Sequence, residues 1–378
     1  MQYATGGGTA TSGVDYQPAM GTLNFGMALE GNGGTVTEGS SVITTRTFNV
    51  TINGDTNKEP NETFFVNLSN PIGLTIADGQ GSCIINDEDR AYVADFDRDL
   101  KTDLSVFRPS EGRWYYSQST NGVTQLPVFG LNGDKIVPGD YDADGVTDLA
   151  VFRPSVATWF ILRSSDFAVV QVQWGLNTDL PVQADYDGDN KTDIAVFRPS
   201  NGTWYVRRSS DVALQSVQFG ANGDKVIPGD YDGDGKSDFA VFRPSAGTWY
   251  VSPSSGGPVR AINWGVATDI PVSGDFDGDG STDIAVFRPS NGVWYISTSL
   301  TGAPINQAWG QNGDVPVVGD YDADGISDIA IWRPLTGDWH FLKSNNPASL
   351  IPEAAVPGFQ HWGQTGDKPV PAAYVPEQ

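Results

Sequence analysis

Six acidic loops, repeated at one spacing, are the part of this sequence with the most evident chemistry. Each follows the pattern Asp-x-Asp-x-Asp-x-x-x-Asp, and the loops begin 45 residues apart, from Asp95 to Asp320. Four carboxylates on one short turn repel one another, so we expect a cation to stabilise each loop. Hard oxygen ligands at this density select Ca²⁺ over Zn²⁺ or copper.

We predict that each loop binds one Ca²⁺, which makes about six ions for the chain. Alternate side chains of a tight turn converge on one centre, so positions 1, 3, 5 and 9 supply carboxylates and position 7 supplies its backbone carbonyl. The predicted ligands are Asp95, Asp97, Asp99, Lys101, Asp103, Asp140, Asp142, Asp144, Val146, Asp148, Asp185, Asp187, Asp189, Lys191, Asp193, Asp230, Asp232, Asp234, Lys236, Asp238, Asp275, Asp277, Asp279, Ser281, Asp283, Asp320, Asp322, Asp324, Ile326 and Asp328. Aspartate turns without a metal are the alternative.

An EF-hand begins with a similar pattern, but the rest of the sequence excludes it. An EF-hand needs Glu at position 12 and flanking helices. Position 12 is instead apolar, in Val106, Val151, Val196, Val241, Val286 and Ile331. Position 6 must tolerate a positive φ, which suits glycine and is acceptable for Asn190. Leu100 is costly at that position, so we predict that the first loop is the weakest site.

The charge of the chain is concentrated in these loops. They contain 24 of the 46 acidic residues, and outside them 22 acids balance 22 bases, within a net charge of −24. This acidity argues against binding nucleic acid through its phosphates. The sequence contains no run of about 18 apolar residues, so it predicts no membrane span. The single Cys83 cannot form an internal disulfide, and no signal peptide follows Met1.

The elements that position the loops belong to a repeat of 45 residues. In the third unit we predict strands at 181–185, 193–199, 203–207 and 217–220. Four short strands in about 45 residues are typical of a propeller blade. We predict an all-β propeller of six blades, with seven as the alternative, and the segment 368–374 as a closing strand.

Three further series repeat with the loops. Tryptophans in the third strand and aromatic residues at the end of the fourth are predicted to pack between blades. The first group is Trp114, Trp159, Trp204, Trp249, Trp294 and Trp339, and the second is Phe129, Trp174, Phe219, Trp264, Trp309 and Trp362. An aspartate series from Asp134 to Asp314 and an arginine series from Arg108 to Arg333 are predicted to pair between neighbouring blades. Two independently solvated series are the alternative.

The repeats at 90–378 resemble FG-GAP/VCBS repeats, the calcium-loop blades also found in integrin α-subunit propellers. The match is carried by Phe219-Gly220, by the segment Gly229-Asp230-Tyr231-Asp232-Gly233-Asp234-Gly235 and by Asp238-Phe239-Ala240-Val241. Phe-Arg-Pro replaces the Gly-Ala-Pro of the integrin version. The resemblance implies a calcium-binding β-propeller.

Residues 1–89 form a different region, rich in Thr, Gly and Asn, with strand-like stretches at 21–25, 45–52, 62–68 and 81–85 that predict a β-sandwich. It resembles a Calx-β domain through Gly13-Val14-Asp15-Tyr16, Asn61-Glu62-Thr63-Phe64 and Ile84-Ile85-Asn86-Asp87-Glu88-Asp89. The resemblance implies Ca²⁺ ligands at Asp15, Asp55, Glu59, Asp87 and Asp89. The first strands of that family would precede Met1, so we expect an incomplete sandwich from a longer secreted protein.

Residues that would carry catalysis are scarce. The two histidines, His340 and His361, lie in the irregular last unit, and no nucleophile motif, phosphate loop or zinc spacing is present. We therefore predict a non-catalytic, extracellular or cell-surface module for adhesion or recognition of a protein or glycan. A Ca²⁺-dependent lectin that binds sugars between blades is the first alternative, and a polysaccharide-active enzyme is the second. The sequence does not indicate the oligomeric state.

Overall fold

The computed structural model describes residues 1–24, 45–53, 62–72, 75–85, 94–344 and 356–371. These residues form two compact units, one from the described residues up to 85 and one from those after 93. Apart from a single 3₁₀ turn at Pro154–Val156, their regular structure is β-strand, as predicted. Among the described residues, no helix is long and apolar enough to cross a membrane.

The described residues of the first unit form one four-stranded antiparallel sheet. Its strands are β1 (Gln2–Thr5), β2 (Met20–Thr22), β3 (Glu62–Ser69) and β4 (Gln80–Ile85), in the order β2-β1-β3-β4. Its core is formed by Ala10, Tyr16 and Phe64, and the rings of Tyr16 and Phe64 stack at 4.5 Å.

The strand predicted at 45–52 is wrong. Side chains in this segment do alternate, with Phe48 and Val50 half-buried between exposed neighbours. However, the segment joins no described sheet and makes only an isolated bridge between Ile52 and Tyr16. Alternation reports which side chains face the core, but it does not supply a hydrogen-bonding partner along the backbone.

The described part of the second unit contains six four-stranded antiparallel sheets. The first sheet consists of β5 (Leu104–Arg108), β6 (Arg113–Ser117), β7 (Thr124–Gln125) and β28 (Lys368–Pro369). The second sheet consists of β8 (Lys135–Ile136), β9 (Leu149–Arg153), β10 (Thr158–Leu162) and β11 (Val169–Gln173), and the third of β12 (Leu180–Pro181), β13 (Ile194–Arg198), β14 (Thr203–Arg207) and β15 (Leu214–Gln218). The fourth consists of β16 (Lys225–Val226), β17 (Phe239–Arg243), β18 (Thr248–Ser252) and β19 (Arg260–Asn263), and the fifth of β20 (Ile270–Val272), β21 (Ile284–Arg288), β22 (Val293–Ser297) and β23 (Pro304–Ala308). The sixth consists of β24 (Val315–Pro316), β25 (Ile329–Arg333), β26 (Asp338–Lys343) and β27 (Val356–His361).

Strand β28 completes the first sheet from the far end of the chain. Lys368 pairs with Phe107 and Pro369 with Val106, in antiparallel register. In the other five sheets the first strand comes directly before the second in sequence. The first sheet therefore joins the last repeat to the first.

The predicted fourth strand of the third repeat was placed too late. β15 starts at Leu214 rather than at 217, because the β14–β15 hairpin pairs Arg207 with Leu214. Exposed and half-buried residues alternate along β15, so its apolar content is too low to mark its start.

The repeated tryptophans pack in the core of each sheet and against the next sheet. All six third-strand tryptophans are fully buried. In one core cluster, Phe152 and Trp159 of the second sheet contact Ile194 and Val196 of the third, which confirms the predicted packing between blades.

Four of the aromatic residues that follow the fourth strands make an additional contact. Their indole Nε1 donates to a backbone carbonyl of the next sheet, from Trp174 to Tyr205 (3.1 Å), Trp264 to Tyr295 (3.0 Å), Trp309 to His340 (3.2 Å) and Trp362 to Tyr115 (3.5 Å). The last of these bonds connects the sixth sheet to the first.

Candidate metal centres

In the second to sixth repeats, the acidic loop connects the first strand of a sheet to its second strand, and in the first repeat the loop directly precedes β5. In the third repeat, residues 185–193 follow β12 and precede β13, and a bridge between Ala184 and Asp193 closes the base of the loop. In the first repeat, the Asp103 amide donates to the Ala94 carbonyl at 2.9 Å in the same place. The loop is therefore held at both ends by backbone hydrogen bonds.

The aspartate at position 1 organises the turn. In the second loop, Asp140 Oδ1 accepts the Ala143 amide at 2.7 Å and Oδ2 accepts the Gly145 amide at 2.8 Å. The equivalent bonds occur in all six loops, at 2.6–2.9 Å. This folding of the backbone around one carboxylate turns the side chains at positions 3 and 5 towards the same centre.

The turn requires two residues with a positive φ. The one predicted at position 6 is confirmed, with φ of 66° at Leu100 and 63° at Asn190. The second lies at position 4, where Arg98 and Ala143 both have φ of 61°, and the sequence analysis missed it. Three loops carry glycine at position 4, which was the available clue.

A serine outside the loop anchors positions 5 and 9, and the sequence analysis missed this series too. In the second repeat, the Ser164 amide donates to Asp148 Oδ1 at 2.6 Å and its Oγ donates to Asp144 Oδ2 at 2.7 Å. Both bonds recur in every repeat, made by Ser119, Ser164, Ser209, Ser254, Ser299 and Ser344. Their spacing of 45 residues was the signal that could have identified them.

The aspartate at position 3 is only partly satisfied. One of its oxygens accepts a bond from the residue after the serine, as Ser210 Oγ donates to Asp187 Oδ2 at 2.5 Å. Among the described residues, Oδ1 of this aspartate is buried and has no hydrogen-bond partner in five loops, at Asp97, Asp142, Asp187, Asp277 and Asp322, and Oδ2 of Asp322 also has none. A buried carboxylate oxygen without a donor is costly unless a cation meets it.

The carboxylates converge as a metal centre requires. Oxygens from positions 1, 3 and 5 lie within 4.8 Å of one another in the first, fourth and fifth loops, and oxygens from positions 1, 3 and 9 do so in the second and third. These donors are hard oxygens, so the residues fit a hard divalent cation such as Ca²⁺. The ligand role of the position-7 carbonyls stays a prediction.

Burial raises the pKa of the position-9 carboxyl groups. The pKa is about 7 for Asp103 and Asp148, about 6 for Asp193 and Asp238, and about 8 for Asp283 and Asp328. Loss of hydration is the main cause, and the nearby position-3 carboxylate adds repulsion, as Asp277 does for Asp283. Without a cation these sites therefore retain protons close to neutral pH.

The six loops are joined in a closed cycle by backbone hydrogen bonds. In each bond the amide at position 8 donates to the carbonyl of position 1 in the preceding loop, at 2.5–2.7 Å. The pairs are Thr147 to Asp95, Thr192 to Asp140, Ser237 to Asp185, Thr282 to Asp230, Ser327 to Asp275 and Thr102 to Asp320. Each loop therefore fixes the position-1 aspartate, a predicted ligand, of its neighbour.

Two family models match the chain in line with this geometry. Residues 1–89 match the Calx-beta domain. Residues 185–270, which span the third and fourth loops, match the FG-GAP-like repeat. Both predicted resemblances are thus confirmed, and no curated protein matches the chain.

Several solved structures are similar to this chain. TolB from Acinetobacter baumannii has 14% identity and a TM-score of 0.48, covering 71% of this chain and 66% of TolB. Virginiamycin B lyase from Staphylococcus aureus has 9% identity and a TM-score of 0.41, covering 71% and 86%. An Agrocybe aegerita lectin specific for non-reducing terminal N-acetylglucosamine has 13% identity and a TM-score of 0.45, covering 64% and 73%.

The metal site implied for the Calx-β region is described only in part. Asp15 is buried, and one of its carboxylate oxygens accepts the Thr11 amide. The other four implied ligands, Asp55, Glu59, Asp87 and Asp89, lie outside the described residues.

The predicted arginine–aspartate pairs form, but the prediction that they join neighbouring blades is wrong. Arg153 Nε and Nη2 donate to Asp134 Oδ1 and Oδ2 at 2.9 and 2.8 Å. Asp134 directly precedes β8 and Arg153 ends β9, so the antiparallel pairing of these strands brings both residues to one end of the same sheet. The guanidinium also lies 4.4 Å from the Phe160 ring of that sheet.

Proposed function

We propose that this chain is a calcium-binding, non-catalytic recognition module of an extracellular protein, in which Ca²⁺ at the six loops stabilises the propeller. The observation that carries this proposal is the buried position-3 oxygen that, within the part of the chain that the structure describes, lacks a hydrogen-bond partner in five loops. In the first, second, third and fifth loops, the same carboxylate has an oxygen within 4.8 Å of oxygens from two other aspartates of the loop. A cation at this centre would satisfy the orphaned oxygen and offset the repulsion between carboxylates.

The side chains of a loop have separate roles in this proposal. Positions 1 and 9 accept backbone amides and so shape the turn, as Asp140 and Asp148 do in the second loop. In this loop, positions 1, 3 and 9 present converging oxygens to the centre, and Ser164 orients the carboxylate at position 5. Ca²⁺, when bound, supplies the positive charge that balances the negative charge of these buried carboxylates.

An extracellular setting fits sites of this kind. Calcium-binding modules outside the cell work with dissociation constants of about 10⁻⁴ to 10⁻³ M, at calcium concentrations that the cytosol does not reach. The matches to Calx-beta and FG-GAP-like models support the same setting. We propose an extracellular protein or a glycan as the partner.

The tryptophans are poorly placed to stack on a sugar. The six in the third strands are fully buried. The four that follow fourth strands donate their indole N–H to the next sheet, as Trp264 does to Tyr295. These contacts favour a structural role, so a lectin activity would depend on other side chains.

The histidines also support a non-catalytic module. His361 is exposed on β27, and its Nδ1 lies 2.9 Å from Asp338 Oδ1. His340, on β26, contacts the ring of Phe359 with centroids 5.1 Å apart. The two residues lie on the paired strands β26 and β27 of one sheet, and their described contacts are ring packing for His340 and one polar contact for His361.

A single loop substitution tests the metal assignment. Asp187→Asn removes a charge at position 3 of the third loop, and Asp211→Asn removes a charge from an exposed ion pair with Arg208 in the same repeat. Isothermal titration of the chelator-treated chain with Ca²⁺ should show one fewer tight site for D187N and no change for D211N. Equal titrations for both variants would contradict the proposal.

The partner class needs its own experiment. A glycan array probed in millimolar Ca²⁺, with a chelated control, separates glycan from protein recognition. Calcium-dependent binding of one sugar class would establish the glycan, and a blank array would favour a protein partner. Release of shortened sugars from a polysaccharide would instead contradict the non-catalytic assignment.

A further inference from the structure

The sixth sheet departs from the repeat at three neighbouring positions. Asp338 and His340 lie on β26, and His361 lies on the adjacent strand β27. His340 and His361 are the two histidines of the whole sequence. A residue that serves the repeat should recur in every blade, so an exception at three adjoining positions indicates a separate role.

The hydrogen-bonding register identifies the equivalent residues of the other five sheets. The Asp338 position is occupied by Arg113, Thr158, Thr203, Thr248 and Val293. The His340 position is occupied by Tyr115, Phe160, Tyr205, Tyr250 and Tyr295. The His361 position is occupied by Val128, Gln173, Gln218, Asn263 and Ala308. None of these residues is a histidine or an acid, so the fold of a blade does not require either at these positions.

The strand register brings the three side chains to one face of the sheet. Asp338 pairs directly with His361, and His340 follows Asp338 by two residues on β26. Side chains alternate along a strand and paired residues share a face, so all three project from the same side. His340 is diagonal to His361 across the two strands. Diagonal neighbours lie about 7–8 Å apart, within reach of aromatic side chains.

Contacts within the cluster agree with this placement. His361 Nδ1 lies 2.9 Å from Asp338 Oδ1. The ring of His340 contacts that of Phe359, its partner on β27, so it projects from the face that carries His361. A hydrogen bond from Thr336 lowers the pKa of the Asp338 carboxyl, and the closeness of both histidines lowers it further. Both imidazoles are therefore neighbours of this one carboxylate.

The histidine nitrogens are available to a ligand. Nε2 of His340 is buried and has no hydrogen-bond partner among the residues that the structure describes, although buried polar atoms normally have one. Burial lowers the pKa of His340, and the charge of Arg333 lowers it further, so the ring is neutral and has a lone pair to donate. Asp314 balances the Arg333 charge through two hydrogen bonds at 2.9 Å. The His361 side chain is 66% exposed, which opens the cluster to solvent.

We propose that Asp338, His340 and His361 bind one divalent metal ion that prefers nitrogen ligands, such as Zn²⁺. Imidazole suits Zn²⁺, whereas Ca²⁺ takes oxygen ligands, so this site differs in chemistry from the acidic loops. Two donors bonded to one tetrahedral zinc at about 2.0–2.1 Å lie about 3.3 Å apart, close to the 2.9 Å between His361 Nδ1 and Asp338 Oδ1. Three protein ligands leave one position for water or for a donor atom of a partner. The site does not depend on the proposed calcium function.

Isothermal titration with Zn²⁺, in excess Ca²⁺ that competes for the acidic loops, tests the site. The wild-type chain should bind Zn²⁺ with 1:1 stoichiometry. The triple variant D338T/H340F/H361Q carries the residues that the second sheet has at these positions, namely Thr158, Phe160 and Gln173, and so keeps the packing of a blade. It should lose the zinc site and bind Ca²⁺ as the wild type does. The single variant H361Q should weaken zinc binding by about tenfold or more, because it removes one ligand.

A matched control separates the cluster from the general acidity of the chain. D211N removes a carboxylate from the exposed ion pair with Arg208 in the third sheet and should keep wild-type zinc affinity. Absence of zinc binding to the wild type, or equal affinity in the wild type and the triple variant, would overturn the proposal. An equal loss in D211N and H361Q would also overturn it. H361Q changes an exposed side chain, so it remains a test if circular dichroism shows that the triple variant is unfolded.

Discussion

The backbone amide of Thr102 donates to the carbonyl oxygen of Asp320 at 2.6 Å, and this bond joins the first acidic loop to the last. Five equivalent bonds connect the loops between them, so the loops form a cycle without a free end. Asp320 is also the first predicted ligand of its own loop. The conformation of one loop is therefore coupled to that of the next.

We predict that this cycle makes calcium binding cooperative. T102P removes the amide hydrogen of the closing bond and should lower the free energy of unfolding of the calcium-loaded chain by about 1–3 kcal/mol, with a lower Hill coefficient. T102A keeps the amide and should keep the Hill coefficient. Calcium titration followed by intrinsic fluorescence measures both. An unchanged Hill coefficient in T102P would show that the sites are independent.

Removal of calcium should destabilise the propeller strongly. At a calcium concentration a hundred times the dissociation constant, each site adds about 2.7 kcal/mol. Loss of only two sites then corresponds to a fall of roughly 10–20 °C in melting temperature for a domain of this size. Differential scanning calorimetry with and without chelator tests this expectation, and magnesium is the control ion. A melting temperature that does not respond to chelation would contradict it.

The metal-free chain should become less stable as pH rises. The pKa of Asp283 and Asp328 is about 8 in the folded chain, against about 3.9 in an unfolded one. The folded state retains these protons to higher pH, so their contribution is complete below about pH 4 and is lost as pH rises through 8. Urea unfolding in chelator should show stability falling from pH 5 to 8.5. D283N/D328N should flatten that slope, and a rise in stability over the interval would refute the assignment.

Replacement of Leu100 should strengthen the first loop. Leu100 has a φ of 66°, a conformation that costs a side chain about 1–2 kcal/mol. L100G should therefore stabilise the calcium-loaded chain by up to that amount. Gly235, at the same position of the fourth loop, has a φ of 84° and open space around it, so G235A should destabilise by a similar amount. Urea denaturation measures both, and changes of the same sign would contradict the argument.

The serine series should contribute to metal affinity from outside the loops. S209A removes the 2.7 Å bond from Ser209 Oγ to Asp189 Oδ1 but keeps the bond from its amide to Asp193. A loss of about 0.5–1.5 kcal/mol is expected at the third site. S216A, at an exposed position of β15, serves as control. Calcium titration in which both variants behave alike would argue against a positioning role.

The repeat period predicted most of the architecture. A spacing of 45 residues fixes where each acidic loop recurs, and the charge of the loops predicts their chemistry. The pattern of four short strands predicted the order of elements in β12–β15, although not where β15 begins.

The sequence did not reveal contacts between residues that are distant along the chain. The bond from Ser164 to Asp148 joins residues in different turns, and a period shared by serines and aspartates does not reveal that they touch. The arginine–aspartate pairs show the same limit. Their common period predicted that they interact, but only the strand register shows that Asp134 and Arg153 flank one sheet.

The pairing of β28 with β5 has a consequence for biosynthesis. β5 is among the first propeller strands to leave the ribosome, and β28 is the last described strand to do so. Until then, the first sheet exposes the edge of β5, including the backbone at Val106 and Phe107. Such an edge can pair with another chain, so the nascent propeller passes through a stage at risk of misassembly that ends only when synthesis reaches Pro369.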